Sequence, residues 1–132
     1  MDGSEPTRLS AGGCQCGGVR YELTEQPSAV YVCHCRECRR QSASAFGISV
    51  IVTWPAVRLT SGVPRSWTRP TSTGDTLDCA FCGNCGSRLW HRSVRDGSVS
   101  IKGGPWTSRP TFGTRCISGR RGCCRGSARP RA

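Results

Sequence analysis

Long apolar runs are missing from this 132-residue sequence, and their absence excludes a membrane-spanning helix. No stretch approaches the roughly 18 apolar residues that suggest a bilayer span. The first 13 residues are polar, with no basic region followed by an apolar one, so we expect no secretory signal. We therefore expect a cytoplasmic protein without membrane contacts. In that reducing compartment, clustered cysteines bind metal more often than they form disulfides.

Apolar and aromatic residues are also scarce. They make up 36% and 7% of the chain, so a hydrophobic core built from this sequence is small. Cysteine and glycine are abundant instead, with 11 and 17 residues. Because metal binding adds directly to the free energy of folding, a bound zinc ion would offset the small core.

Eight of the 11 cysteines lie in three groups with short internal spacings. The groups are Cys14 with Cys16, then Cys33, Cys35 and Cys38, and finally Cys79 with Cys82 and Cys85. Such spacings let neighbouring thiolates converge on one ion, and sites rich in thiolate favour zinc. Three groups in one chain are a much stronger indication of metal binding than a single Cys-x-x-Cys pair.

The number of sulfurs predicts two zinc sites of different kinds. One site combines four sulfurs, from Cys14, Cys16, Cys82 and Cys85. Four protein ligands close a zinc site, which is typical of structural zinc. The remaining group supplies three sulfurs, from Cys33, Cys35 and Cys38. Three protein ligands leave one position open, as in catalytic or ligand-binding sites.

Two alternatives for the three-sulfur group remain open. Cys79 could complete the group and close it. His34 could also be a ligand, although in an extended segment its side chain would point away from those of its two cysteine neighbours. Otherwise, Cys79 is a spare buried thiol.

The hydrophobic pattern predicts a mostly β domain. Val19, Tyr21 and Leu23 alternate with charged residues, as in a half-buried strand. Further strands are expected at 29–32, 46–53, 57–63, 87–90 and 94–101, with at most one helical turn at 36–42. Residues 64–76 are predicted to be a loop, and 79–86 a cysteine knuckle. The large aromatic residues are expected in the core: Phe46, Trp54, Trp67 and Trp90.

Four motifs resemble the glutathione-dependent formaldehyde-activating family, whose zinc domain also occurs in centromere protein V. They are Gly13-Cys14-Gln-Cys16-Gly17, Cys33-His34-Cys35-Arg-Glu-Cys38-Arg39-Arg40, Ser42-Ala-Ser44-Ala-Phe46-Gly47 and Phe81-Cys82-Gly-Asn-Cys85-Gly86-Ser87. The resemblance covers about residues 12–104. It implies a β-tent fold, in which small antiparallel sheets surround the zinc sites, and it implies the same division of the cysteine ligands.

The resemblance also implies an activity, S-(hydroxymethyl)glutathione synthesis, which is a carbon–sulfur lyase reaction in the reverse direction. Cys33, Cys35 and Cys38 would then form the catalytic zinc site. Since glutathione is anionic, Arg39 and Arg40 are the expected contacts of its carboxylates. Ser42 and Ser44 are candidate hydrogen-bond donors to the substrate, although such serines more often cap or turn the chain.

The chain divides into a lead-in at 1–11, the zinc domain at 12–104 and a tail at 105–132, with the lead-in and most of the tail expected to be disordered. Residues 108–132 carry seven arginines and no acid, out of a net charge of +11. An alternative function is therefore a non-catalytic zinc module whose basic tail binds nucleic acid or another polyanion, and we expect this contact to be nonspecific.

The sequence after Gly104 departs from the family pattern. The chain has 18 arginines and one lysine, as GC-rich coding sequences favour. We hypothesise that the chain from about residue 105 onward is frameshifted or otherwise non-native. Resequencing of the gene tests this hypothesis, and an intact frame that encodes this tail would contradict it.

Overall fold

Strands form where β-branched and aromatic residues cluster between turns. The computed structural model describes residues 10–95, 97–102 and 115–116, the last two by their backbone alone. The strands are β1 (Ser10–Gly13), β2 (Arg20–Leu23), β3 (Ala29–Cys33), β4 (Gly47–Thr53), β5 (Val57–Ser61), β6 (Arg65–Pro70), β7 (Thr76–Phe81), β8 (Arg88–Ser93), β9 (Ser98–Lys102) and β10 (Arg115–Cys116). One α-helix, α1 (Arg36–Ser42), lies between β3 and β4, and a 3-10 turn covers Trp54–Ala56.

The strands form two sheets. The order in the smaller sheet is β1-β2-β5, and the order in the larger is β10-β3-β4-β9-β8-β7-β6. Every pairing is antiparallel except that of β10, which runs parallel to β3. The described residues are thus a mostly β fold of antiparallel sheets, as expected from the sequence.

One face of the larger sheet packs into the hydrophobic core. Its register places a row of apolar residues side by side across five strands, because directly paired residues share a face. The row consists of Val30, Val50, Ile101, Trp90 and Ala80, all of them buried. The smaller sheet covers this face, and Tyr21 of β2 meets Trp90 edge to face with ring centroids 5.8 Å apart.

The opposite face of the same sheet is polar. Side chains alternate between faces along a strand, so the neighbouring register row points away from the core. That row contains Ser100, His91, Cys79 and Trp67, and Lys102 lies next to it on β9. This polar face carries the residues of the candidate site.

Helix α1 lies close to β4 because Gly47 has no side chain. A Cβ atom added at Gly47 would lie 2.9 Å from Nε2 of Gln41 and 3.1 Å from Cβ of Cys38. Such contacts would push the helix away from the sheet. The glycine therefore fixes the position of Cys38 relative to β4.

Several sequence-based boundaries were wrong. The segment 64–76 was predicted to be a loop, but it contains β6, and β7 occupies the first residues of the predicted knuckle. Strand β1 begins at Ser10, inside the predicted lead-in. Phe46 and Trp67 are not core residues, because 40% and 47% of their surfaces are exposed.

The predicted tail at 105–132 lies outside the described residues apart from the two of β10, and so do residues 1–9 of the predicted lead-in at 1–11. Within the part of the chain that is described, no helix has the length and apolar character needed to cross a membrane.

Candidate metal centres and the adjoining cleft

The first centre is a group of three thiols where β3 meets α1. Cys33 is the last residue of β3, Cys35 is the N-cap of α1, and Cys38 lies in the first helical turn. The three sulfur atoms lie within 4.8 Å of one another. The helix supports this arrangement, because the backbone N–H of Cys38 donates to Sγ of Cys35 at 3.4 Å.

The close packing of these thiols affects their acidity. Burial raises the pKa of Cys33. Burial acts in the same direction on Cys35, but hydrogen bonds from the Cys38 backbone and from the neighbouring thiols outweigh it and lower the pKa of Cys35. Like charges resist ionising together, whereas a divalent cation stabilises all three thiolates. The donor set therefore suits a thiophilic metal ion.

The second centre is a group of four thiols that connects the two sheets. Two come from the turn after β1, two come from the turn after β7, and all four lie within 4.8 Å of one another: Cys14, Cys16, Cys82 and Cys85. Gly17 and Gly86 follow the two turns with φ of 79° each, a conformation that favours glycine.

The spacing of these sulfurs fits a tetrahedral ion. Sγ of Cys16 lies 3.5 Å from that of Cys14 and 3.7 Å from that of Cys82. Ligands at a Zn–S distance of about 2.3 Å around a tetrahedral ion lie about 3.8 Å apart. The hydroxyl and backbone of Ser87 lower the pKa of Cys85 to about 5, which favours its thiolate form. None of the eight cysteines among the described side chains forms a disulfide.

The two alternative ligands lie outside both centres. Cys79 is fully buried on β7, and its sulfur approaches the carbonyl oxygen of Leu77 at 3.8 Å. The ring of His34 packs against Phe46, with centroids 5.5 Å apart, and its Nε2 is buried without a hydrogen-bond partner. Among the described side chains, the three-sulfur group therefore contains neither Cys79 nor His34.

We expect Cys79→Ser to retain the full metal content of the wild type, because Cys79 belongs to neither centre. Because a hydroxyl fits a buried site less well than a thiol, we expect the free energy of unfolding to decrease by about 1–3 kcal/mol. Metal content per chain measured by atomic absorption checks this. Loss of one ion would show that Cys79 is a ligand and that the three-sulfur centre is closed.

A cleft of about 180 Å³ adjoins the three-sulfur centre on the polar face of the larger sheet. Helix α1 forms one wall and strands β6 and β8 form the other. Its lining consists of Glu37, Cys38, Arg40 and Gln41 from the helix, Trp67 and Arg69 from β6, and Arg88 and His91 from β8. A ligand in this cleft would lie beside a cysteine of the metal centre and among guanidinium groups.

His91 is held neutral at the back of this cleft. Burial lowers its pKa to about 2, and the positive charges of Lys102, Arg88 and Arg69 act in the same direction. Its Nε2 lies 2.7 Å from Nη1 of Arg88. Since a guanidinium can only donate, Nε2 is the acceptor of this hydrogen bond.

Lys102 is a second buried basic group on this face. Its Nζ donates to Oγ of Ser49 at 3.2 Å and to Oγ of Ser100 at 3.0 Å. Burial lowers the pKa of Lys102 to about 8, while the nearby thiols of Cys38 and Cys79 oppose this decrease. The positive field of Lys102 therefore favours thiolate at the three-sulfur centre.

The neutral state of His91 predicts a specific pH dependence of stability. In the unfolded chain His91 has a pKa of about 6.5, so acid protonates the unfolded state first and the stability that neutral His91 provides decreases as the pH falls. Between pH 7.5 and pH 5.5, the free energy of unfolding of the wild type should decrease by about 1.4 kcal/mol more than that of His91→Gln. Urea unfolding of both metal-loaded proteins at both pH values measures this difference. An equal loss in both would contradict it.

The predicted substrate-binding residues lie on α1 and in the turn after it. Arg39 is exposed on α1 and is not part of the cleft wall, whereas Arg40 is. The hydroxyl oxygen of Ser42 lies 2.7 Å from the carbonyl oxygen of Cys38 and 3.0 Å from that of Phe46, so its single proton can be donated to either one. The hydroxyl of Ser44 donates to the same Phe46 oxygen at 2.6 Å. These serines hold the turn after the helix.

Sequence reasoning missed the contribution of the larger sheet to the site. Arg69, Arg88, His91 and Lys102 lie 31 to 64 residues after Cys38 and belong to no recognisable motif. Only the register of β6, β7, β8 and β9 brings them to the face on which α1 lies. A prediction of strand β6 in place of a loop would have indicated that Trp67 and Arg69 share one face.

Comparison with known proteins places this arrangement in a family. A family model described as "Glutathione-dependent formaldehyde-activating enzyme" matches residues 9–115, so the match continues beyond the boundary at 104 that the motifs indicated. The chain is also similar to a crystal structure of a Rhodobacter sphaeroides protein, with a TM-score of 0.58 and 22% identity over 76% of this chain and 91% of the other. That likeness concerns the fold.

Proposed function

Since the chain belongs to the glutathione-dependent formaldehyde-activating enzyme family, we propose that it joins the thiol of glutathione to formaldehyde. The product is S-(hydroxymethyl)glutathione, and in the reverse direction the protein is a carbon–sulfur lyase. We propose zinc as the cofactor, with one structural and one functional ion. Because the cysteines with described side chains form no disulfides, a reducing compartment such as the cytoplasm suits the protein.

The observation that carries this proposal is the three-sulfur centre beside a cleft. Three ligands come from Cys33, Cys35 and Cys38, and no other described side chain joins them as a fourth. A zinc ion held there would stabilise a substrate thiolate and polarise a carbonyl oxygen. Cys38 lines the cleft, so a small thiol that enters it would approach the three-sulfur centre, where the described side chains supply no fourth ligand.

The reaction needs little from the protein besides position and charge. The substrate thiol loses its proton to solvent, and its sulfur forms a bond to the carbonyl carbon. The electron pair of the C=O π bond moves to oxygen, which takes up a proton from water. Arg40 attracts the anionic substrate, and the positive charge of Lys102 favours the thiolate.

The alternative function, polyanion binding through the basic tail, concerns residues outside the described part of the chain. A purely structural role would require a fourth protein ligand at the three-sulfur group. Cys79 and His34, the two candidates from the sequence, are not in that group.

The test is turnover by the zinc-loaded full chain. NMR with ¹³C-labelled formaldehyde measures the exchange between formaldehyde and its glutathione adduct, and we expect an exchange rate well above that of the uncatalysed reaction. A protein that holds two zinc ions and leaves this rate unchanged would overturn the proposed function.

A further inference from the structure

The cleft beside the three-sulfur centre has an excess of positive charge. Its walls contain three guanidinium groups, from Arg40, Arg69 and Arg88, and one carboxylate, from Glu37. No ion pair of the described residues involves any of the three arginines. His91 adds no charge, because it is neutral. Uncompensated cations in a concave site attract anions and increase their local concentration.

From this arrangement we propose that the cleft is a carboxylate subsite, in which Arg69 and Arg88 bind a carboxylate of the thiol substrate. The inference rests on the proposed function and names the class of thiol that the protein accepts. Arg–carboxylate pairs are often bidentate, which adds geometric specificity to their charge. The subsite would therefore select thiols that carry a carboxylate over neutral thiols.

Arg88 is already fixed in place before a ligand arrives. Its Nη1 donates to Nε2 of His91 at 2.7 Å, and its guanidinium carbon lies 5.9 Å from the centroid of the Trp67 ring. A side chain that is held on two sides loses little conformational entropy when it binds. His91 is thus a positioning residue, and a proton on its Nε2 would repel the group that it orients.

The size of the cleft limits which part of the substrate it holds. About 180 Å³ is below the range of about 300–1,000 Å³ that encloses drug-sized ligands. The space suits one arm of a peptide thiol that ends in a carboxylate. With that arm between Arg69 and Arg88, the sulfur end of the ligand would lie toward Cys38.

The test uses S-methylglutathione as the probe, because it keeps both carboxylates but cannot form a thiolate. Calorimetry with the zinc-loaded full chain measures its dissociation constant. We expect Arg69→Gln and Arg88→Gln each to weaken binding at least about tenfold, as the loss of a charged hydrogen-bonded pair does. Arg95→Gln removes one positive charge from an exposed turn and should leave the dissociation constant unchanged.

A ligand-side experiment avoids any effect of the substitutions on folding. The diethyl ester of S-methylglutathione should bind at least about tenfold more weakly than the free acid. Equal binding of acid and ester, or equal binding by wild type and Arg69→Gln, would overturn the subsite. Since neither probe reacts, these results are separate from turnover. Turnover without a preference for the acid would refute the subsite alone, and binding of the acid without turnover would refute the proposed function alone.

Discussion

Cys38→Ser is expected to lose one of two zinc ions and to reduce turnover at least about a thousandfold, while the protein remains folded. Two sulfurs remain at the centre after this change, and they cannot hold the ion in place of three. Metal catalysis is worth several kcal/mol, and each 1.36 kcal/mol corresponds to about a tenfold change in rate. Helix α1 has no buried residue, so its loosening costs the core little. Metal analysis and the ¹³C exchange assay measure the two effects.

The matched control for this prediction is Cys79→Ser, which makes the same change of atom on β7, on the face of the sheet over which α1 lies. Cys79 is fully buried but belongs to neither centre, so the control should keep both ions and its turnover. If Cys38→Ser binds one ion fewer and still turns over at the wild-type rate, the three-sulfur centre is not catalytic.

Cys82→Ser is expected to have the largest effect on folding. Cys82 is buried in the centre that connects the turn after β1 to the turn after β7, and therefore joins the two sheets. Structural zinc contributes about 10–16 kcal/mol in zinc-finger peptides. That is as large as the whole stability of a typical domain, about 5–15 kcal/mol. We expect the variant to lose its cooperative unfolding transition.

Thermal unfolding followed by circular dichroism measures this effect. Cys38→Ser provides the comparison, since it also removes one cysteine ligand but from the centre that supports only a surface helix. Cys82→Ser with a cooperative transition at the wild-type temperature would contradict the structural role of the four-sulfur centre.

The two cysteine clusters are the part of the molecule that the sequence predicts best. Cys35 and Cys38 can converge because a helical turn separates them, and this relation is local. The pairing of the turn at Cys14 with the turn at Cys82 is not local. It followed from the count of sulfurs, since each pair alone cannot complete a tetrahedral site.

The cleft could not be predicted in the same way. Pro64, Pro70 and the Ser- and Thr-rich composition indicated a loop, yet β6 forms as the edge strand of the larger sheet. An edge strand tolerates proline, because one side of its backbone has no partner. Pairing with β7 therefore overrides the local turn preference, and it brings Arg69 to the same face as His91.

The exposure of two aromatic residues has a related cause. Trp67 lies on the face of β6 that turns away from the core, where the cleft and Arg88 provide its contacts. Phe46 follows the turn held by Ser42 and Ser44 and packs against His34. Hydrophobicity alone does not distinguish these positions from that of Trp90, because the choice of face depends on register.

The zinc content of the purified chain before and after mild chelation tests the two centres most directly. We expect two zinc ions, of which the chelator removes one, because the three-sulfur centre loses its ion while the closed four-sulfur centre keeps its own. Readdition of zinc should restore turnover. Two ions that resist the chelator equally would mean that both centres are closed, and a chain that binds one ion or none would not have two metal centres.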